Sequence, residues 1–177
     1  MGLELRPDKK AGGLAEAFAE LYEYYMPKVF RYISFQVGDM DLAEDLTSAV
    51  FEKALTKLDS YRSNKASFST WLMTVARNTV IDCYRVKSRK IIVSIEETFE
   101  PASEETSPVE KIIRRDELQR LETYLRELSQ QEREIISLKF GAELNNRQIA
   151  KTLGLSESNV GTKLYRTICK LRDKLKE

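Results

Sequence analysis

The stretch from Asn145 to Val160 restricts the local fold more than any other part of the sequence. Ile149, Ala150 and Leu153 lie on one face of a short helix, and Gly154 follows, a residue free to take the positive φ that ends helices. Ser156 then supplies an N-cap for a second helix, with Val160, Leu164, Ile168, Leu171 and Leu175 recurring at steps of three and four. This order predicts a helix-turn-helix, in which the small Ala150 lets the second helix cross closely. The outer face of the second helix carries Ser158, Asn159, Thr162, Lys163, Tyr165 and Arg166, polar groups able to reach base edges and phosphates in a major groove. The implied function is duplex DNA binding, although a plain helical hairpin has the same periodicity.

The 177 residues, 42% apolar, are enough for one or two small domains with real cores. No apolar run approaches the roughly 18 residues that span a bilayer, and the amino terminus lacks the basic-then-apolar order of a signal peptide. The chain is therefore expected to stay in the cytoplasm, without membrane insertion. Cys83 and Cys169 form no metal-ligand spacing, and the chain has no histidine. That composition lacks the commonest general base, so no catalytic residues, metal or cofactor are expected.

A net charge of +1 conceals segregation. Thr74 to Lys90 holds five bases against Asp82; Ile91 to Glu110 holds six acids and no base; from Asn145 onward eight bases face three acids. Two basic segments separated by an acidic one suit a protein that touches DNA at two places, because phosphate attraction is local and screened within about 8 Å.

Helical periodicity organises most of the chain, and the predicted fold is all-α. Residues 1–13 read as a disordered lead-in, 14–90 as one helical domain, 91–106 as a flexible acidic linker, and 107–177 as a second helical domain containing the helix-turn-helix. In the first domain, Phe18 to Ile33 mark one helix containing Pro27, ended by Gly38. A second, capped by Asp39 or Asp41, is expected to bury Leu42, Leu46, Ala49, Val50 and Ala54, with Phe51, Leu55 and Leu58 widening that face. A third carries Phe68, Trp71, Leu72, Val75, Ala76, Thr79 and Cys83 on its core side, so Trp71 reads as a core residue. Ser107-Pro108-Val109-Glu110 and Ser129-Gln130-Gln131-Glu132 are capping boxes, the second opening a helix with Ile135, Ile136 and Phe140 up to Gly141.

Three blocks in order carry a resemblance: Asp41 to Ala54 (DLAEDLTSAVFEKA), Phe68 to Arg85 (FSTWLMTVARNTVIDCYR), and Leu128 to Leu175. Together they resemble the bacterial RNA polymerase sigma factors of the compact extracytoplasmic-function group. The second block is the most specific, since Trp-Leu followed by Ala-Arg-Asn and Asp-x-x-Arg is far more restrictive than amphipathicity.

The resemblance implies that the first block docks on a coiled coil of the largest subunit of core RNA polymerase. Asp41, Glu44, Asp45, Ser48 and Glu52 would form the acidic docking face, a pattern that a solvated helix face also produces. It implies that the second block recognises and melts the promoter −10 element. There Asn78 would bond a base edge, Tyr61 would stack on it, and Asp82 would accept from an exocyclic amine. Arg77, Arg85, Lys87 and Arg89 would neutralise phosphates, and Asn64 lies in the Ser63–Ser67 loop that lines the base pocket in the family. The helix from Glu157 would read the −35 element through Ser158, Asn159, Thr162, Lys163, Tyr165 and Arg166. This sequence departs from the family at Gly161, where a basic residue is common, and at Lys163, often arginine. Further implied partners are the polymerase flap, promoter DNA and an anti-sigma factor. The competing readings are a conventional helix-turn-helix regulator that never joins polymerase, and a nuclease using Asp39, Asp41, Glu44 and Asp45, which lack a partner constellation.

Overall fold

A computed structural model describes residues 11–90, 123–125 and 127–175, and they contain helices and turns without strands. Helix α1 (Ala11–Val37) starts inside the segment expected as a lead-in and runs unbroken through Pro27, which faces solvent. Leu21, Tyr25, Val29, Tyr32 and Ile33 recur at helical spacing and form its buried stripe. The helix ends where Gly38 takes φ 69° and donates its N–H to the Ser34 carbonyl at 3.0 Å. Of the two capping candidates for the next helix, Asp39 does the work: its carboxylate accepts from the Leu42 N–H at 3.0 Å.

Helix α2 (Met40–Thr56) is rotated from the face expected of it. It buries Ala43, Thr47, Val50, Phe51 and Ala54, whereas Leu42, Leu46 and Ala49 are half-buried and Leu55 is 52% exposed. The small Ala43 and Ala54 let α2 lie close between its neighbours, and that turns the leucines to the flanks. The hydroxyl of Thr47 needs no external partner, because it donates to the Ala43 carbonyl at 2.7 Å. A 3₁₀ turn (Leu58–Ser60) and a braced loop lead to α3 (Phe68–Lys90). Within the loop, Tyr61 Oη donates to the Ala66 carbonyl at 3.1 Å, and Arg62 Nη1 donates to the Asp59 carbonyl at 2.6 Å. Ser67 Oγ accepts from the Thr70 N–H at the start of α3. Phe68, Leu72, Met73, Ala76 and Val80 are the buried face of α3.

The carboxy-terminal helices begin at the Ser129–Glu132 capping box, with both reciprocal bonds formed. Helix α4 (Gln130–Ile136) passes directly into a π turn (Ser137–Gly141) instead of continuing as α-helix to Gly141, and Phe140 is 55% exposed on that turn. Glu143 then has φ 58°, a left-handed conformation that costs a non-glycine residue about 1 kcal/mol. A second capping box, Asn145 with Gln148, opens α5 (Asn146–Leu153). Gly154 has φ 67° as its place in the sequence requires, and Leu155 N–H closes the turn on the Ala150 carbonyl at 2.9 Å. Ser156 Oγ accepts from the Asn159 N–H at 3.2 Å at the head of α6 (Glu157–Leu175).

Val160 and Leu164 are buried as expected, but the stripe then moves to Thr167, which is fully buried, while Ile168 and Leu175 are 40% and 44% exposed. Burial of Thr167 is tolerable because its hydroxyl donates to the Lys163 carbonyl at 2.8 Å. The two groups of helices are in direct contact: one continuous core includes residues of both. The expected acidic linker 91–106, the Ser107-Pro108 capping box, and lead-in residues 1–10 lie outside the described residues.

Candidate nucleic-acid interface

Three surfaces collect the residues singled out in the sequence. On α2, Asp41, Glu44, Asp45, Ser48 and Glu52 are all exposed, and among the described residues none of the four carboxylates forms an ion pair. Spacings of three and four put them on one side of the helix, away from Ala43, Val50 and Ala54. The result is an uncompensated negative ridge.

The second surface runs along α3. Trp71, Asn78, Asp82 and Arg85 are separated by seven, four and three residues, so they share one face of the helix. Asn78, Asp82 and Arg85 are exposed, and Asp82 lies 3.5 Å from Arg85 in a solvated pair of little energetic weight. Trp71 is half-buried instead of sealed in the core. Its ring lies 5.4 Å from the Tyr61 ring and 5.4 Å from Phe68, and Tyr61 meets Phe68 edge-on at 5.5 Å. Tyr61 is thus held on one side by the aromatic cluster and at its hydroxyl by Ala66, with Asn64 exposed in the same short loop. Aromatic faces at one end and a polar, charged run along the rest of the helix match the requirements of an unstacked strand.

Arg77 does not join that face. One residue before Asn78, it turns roughly 100° away and its Nε donates to Glu134 Oε1 of α4 at 2.5 Å. The side chains of Lys87 and Arg89 lie outside the described residues.

The third surface is the outer side of α6. Ser158, Asn159, Thr162, Tyr165 and Arg166 are exposed, Tyr165 by 71%, and Lys163 is half-buried. Gly161 stands among them without being forced there: a Cβ would meet only Asn146 Nδ2, at an ordinary 3.7 Å. The α6 face is held against α4 by Lys170 Nζ, 2.5 Å from Glu132 Oε1. Lys170 and the Ser129 hydroxyl hold the Glu132 carboxyl down at about 2.

Residues 21–90 match the Sigma-70 region 2 family, and residues 118–171 match the Sigma-70, region 4 family. The chain is 31% identical over 157 residues to the ECF RNA polymerase sigma factor SigM of Bacillus subtilis, covering 86% of this chain and 91% of that one. The chain belongs to the extracytoplasmic-function group of the sigma-70 family of RNA polymerase sigma factors. It is also 31% identical over 161 residues to the ECF sigma factor BldN of Streptomyces coelicolor, where it spans 91% of its own length and 61% of that protein's. Its fold is that of the sigma factor RpoE from Bartonella quintana, solved in complex with the anti-sigma factor NepR. That likeness has a TM-score of 0.74 at 23% identity and covers 91% of this chain and 98% of that one. The all-helical architecture and the family expected from the three sequence blocks both hold. Among the described residues no helix of this sigma factor is long and apolar enough to cross a membrane.

Trp71, expected on the core side of α3, packs partly buried against the core and also shares a face with Asn78. Glu134 and Glu143 carried no sequence signal, because their partners are 57 and 112 residues away. Gln148 is not singled out in the sequence reading either, and here a signal exists that finds it: Asn145-x-x-Gln148 has the capping-box spacing.

Proposed function

We propose that this sigma factor binds core RNA polymerase through the α2 ridge, opens the −10 element along α3 and anchors on the −35 element through α6. The observation that carries this reading is the α3 face, where the Tyr61–Trp71 pair leads into Asn78, Asp82 and Arg85. Melting needs no chemical catalysis, only a surface that holds an unstacked base and guides the displaced strand. Tyr61 and Trp71 offer stacking, Asn78 offers paired hydrogen bonds to a base edge, Asp82 an acceptor for an exocyclic amine, and Arg85, Lys87 and Arg89 phosphate neutralisation. Asn64 sits in the loop beside them. Arg77 contributes to the strand path once it is released from Glu134.

Asp41, Glu44, Asp45, Ser48 and Glu52 suit a basic coiled coil of the largest polymerase subunit. Ser158, Asn159, Thr162, Lys163, Tyr165 and Arg166 enter the major groove upstream, and the same carboxy-terminal unit meets the polymerase flap. Lys163 in place of arginine gives up bidentate guanine readout, so α6 anchors more than it discriminates. An anti-sigma factor holds the protein inactive in the cytoplasm, and the chain performs no catalysis of its own.

Run-off transcription with core polymerase tests the proposal. Core enzyme plus this chain is expected to initiate at a cognate promoter, whereas the chain alone binds the same duplex poorly. Failure of every promoter in a genomic library to support initiation would overturn it.

A further inference from the structure

Asn146 is the first residue of α5, and its Oδ1 is buried without accepting from any donor among the described residues. A carbonyl in that position has lost its water and gained nothing in exchange, and folded proteins rarely keep one. The polar side chains beside it are committed elsewhere. Asn145 Oδ1 accepts from the Gln148 N–H at 2.9 Å, and Gln148 Nε2 donates to Ser69 Oγ at 2.9 Å.

The same carboxamide stands against Gly161 of α6. A Cβ at that glycine would lie 3.7 Å from Asn146 Nδ2, with nothing else of the surrounding fold within 4 Å. Gly161 does not have positive φ, so neither conformation nor space requires glycine there, and glycine inside a helix weakens it. Ser158, Thr162 and Tyr165, its neighbours on the helix surface, are exposed. The missing side chain therefore opens the outer face of α6 onto the carboxamide beneath.

We propose that Asn146 is a further promoter-contacting residue: its carboxamide turns out over Gly161 and donates from Nδ2 to an acceptor on the upstream duplex. The proposal rests on the reading of α6 as the −35 helix. The atom facing the gap is a donor, and DNA beside a helix in its major groove presents acceptors, both phosphate oxygens and base-edge atoms. Turning outward also returns Oδ1 to solvent. An orphan carbonyl and a helical glycine, each unfavourable in the free chain, thus serve one contact made only on DNA. It supplies a hydrogen bond at the position where α6 has no side chain of its own.

Holoenzyme assembled from core polymerase and the full chain tests this on two fluorescent DNAs: a promoter duplex that supports run-off, and a forked fragment of it lacking the upstream element. Asn146→Ala is expected to weaken binding to the duplex roughly threefold to tenfold and to leave the forked fragment unaffected. Its melting temperature is expected to be no lower than the parent's, because the orphan carbonyl is gone and alanine is the better helix former. Gly161→Leu, which stands over the carboxamide, is expected to weaken duplex binding and to abolish any further loss from Asn146→Ala. Single methylphosphonate substitutions in the upstream element then identify the acceptor. A phosphate contact gives one position where the parent loses affinity and Asn146→Ala loses no more; absence of such a position assigns the contact to a base edge. Parent-like duplex binding by Asn146→Ala, a loss that tracks a lowered melting temperature, or an equal loss with and without the Gly161→Leu change would overturn the proposal. Arg166→Ala separates it from the reading beneath it. A loss with Arg166→Ala and none with Asn146→Ala overturns the Asn146 contact alone, whereas a loss with neither overturns α6 as the −35 helix.

Discussion

The ring of Trp71 lies 5.4 Å from the ring of Tyr61, and both stand at the end of the α3 face that continues through Asn78. Loss of a stacking platform removes about 1–3 kcal/mol per base, or roughly five-fold to more than a hundredfold in equilibrium. Trp71→Ala is therefore expected to reduce promoter opening by at least tenfold, read as permanganate-reactive thymines, with Trp71→Phe recovering part of the loss. Asn78→Ala should lower opening more than it lowers core binding. Equal losses in both steps would remove the division of roles between α3 and α2.

The exposed α2 ridge predicts the opposite pattern. Asp45→Lys is expected to weaken association with core polymerase several-fold while changing folding stability by less than about 0.5 kcal/mol, because among the described residues its exposed side chain makes no ion pair or hydrogen bond. Native gel competition for core and a urea melt measure the two effects. A large loss of stability would mean that Asp45 supports the fold.

Glycine substitutions in the helix-turn-helix should have opposite signs. Gly154 has φ 67°, so Gly154→Ala is expected to destabilise by about 1 kcal/mol even though open space surrounds it. Gly161 lies inside α6 where a Cβ fits, so Gly161→Ala is expected to stabilise by about 1 kcal/mol. Thermal melts of the two variants decide this. If Gly161→Ala also weakens binding to upstream promoter duplex, the backbone at that position approaches DNA closely.

Glu132 gives a pH dependence with a fixed sign. Its carboxyl titrates near 2 in the folded protein against 4.5 without the Lys170 and Ser129 contacts. A depressed acid contributes stability above the higher value and loses it as pH falls toward the lower one. Glu132→Gln keeps a capping side chain without the charge. The stability difference between it and the parent should be present at pH 7, about 1 kcal/mol or less since Lys170 is largely exposed, and should fade between pH 4.5 and 2. Urea midpoints across that range measure it. A difference that is constant with pH would point to packing instead of the ion pair.

Local chemistry was legible in the sequence, and long-range chemistry was not. Gly38, Asp39, Ser129, Gly154 and Ser156 all act as their residue types demand, because a cap or a left-handed turn is decided within four residues. The rotation of α2 toward Ala43 and Thr47, and of α6 toward Thr167, depends on which neighbours lie alongside. Side chains of hydrophobic size cannot report that when small or self-bonded residues fit the crossing better. Trp71 shows a related limit: three residues after Phe68 and seven before Asn78, it stands between the core side of α3 and its exposed face, and spacing alone does not divide the two. Gly141 reads in sequence as a helix end, and only the backbone of Tyr32 beside it shows that the missing side chain is a matter of space. The acidic ridge, the α3 face and the outer side of α6 were each legible as patterns. That Arg77 faces a different way from Asn78 follows from helix geometry, but its partner does not.

The π turn from Ser137 to Gly141 sets a phase for everything after it. A π turn holds one more residue than an α turn of the same span, and each residue advances a helix by about 100°. Removing a single residue there, with no change in composition elsewhere, would let α4 continue as regular helix and swing α5 and α6 by about that angle. The outer face of α6 would then address a different direction relative to α1–α3. The direction in which this protein holds out its upstream reading head is thus written as a count of residues, not as a kind of residue.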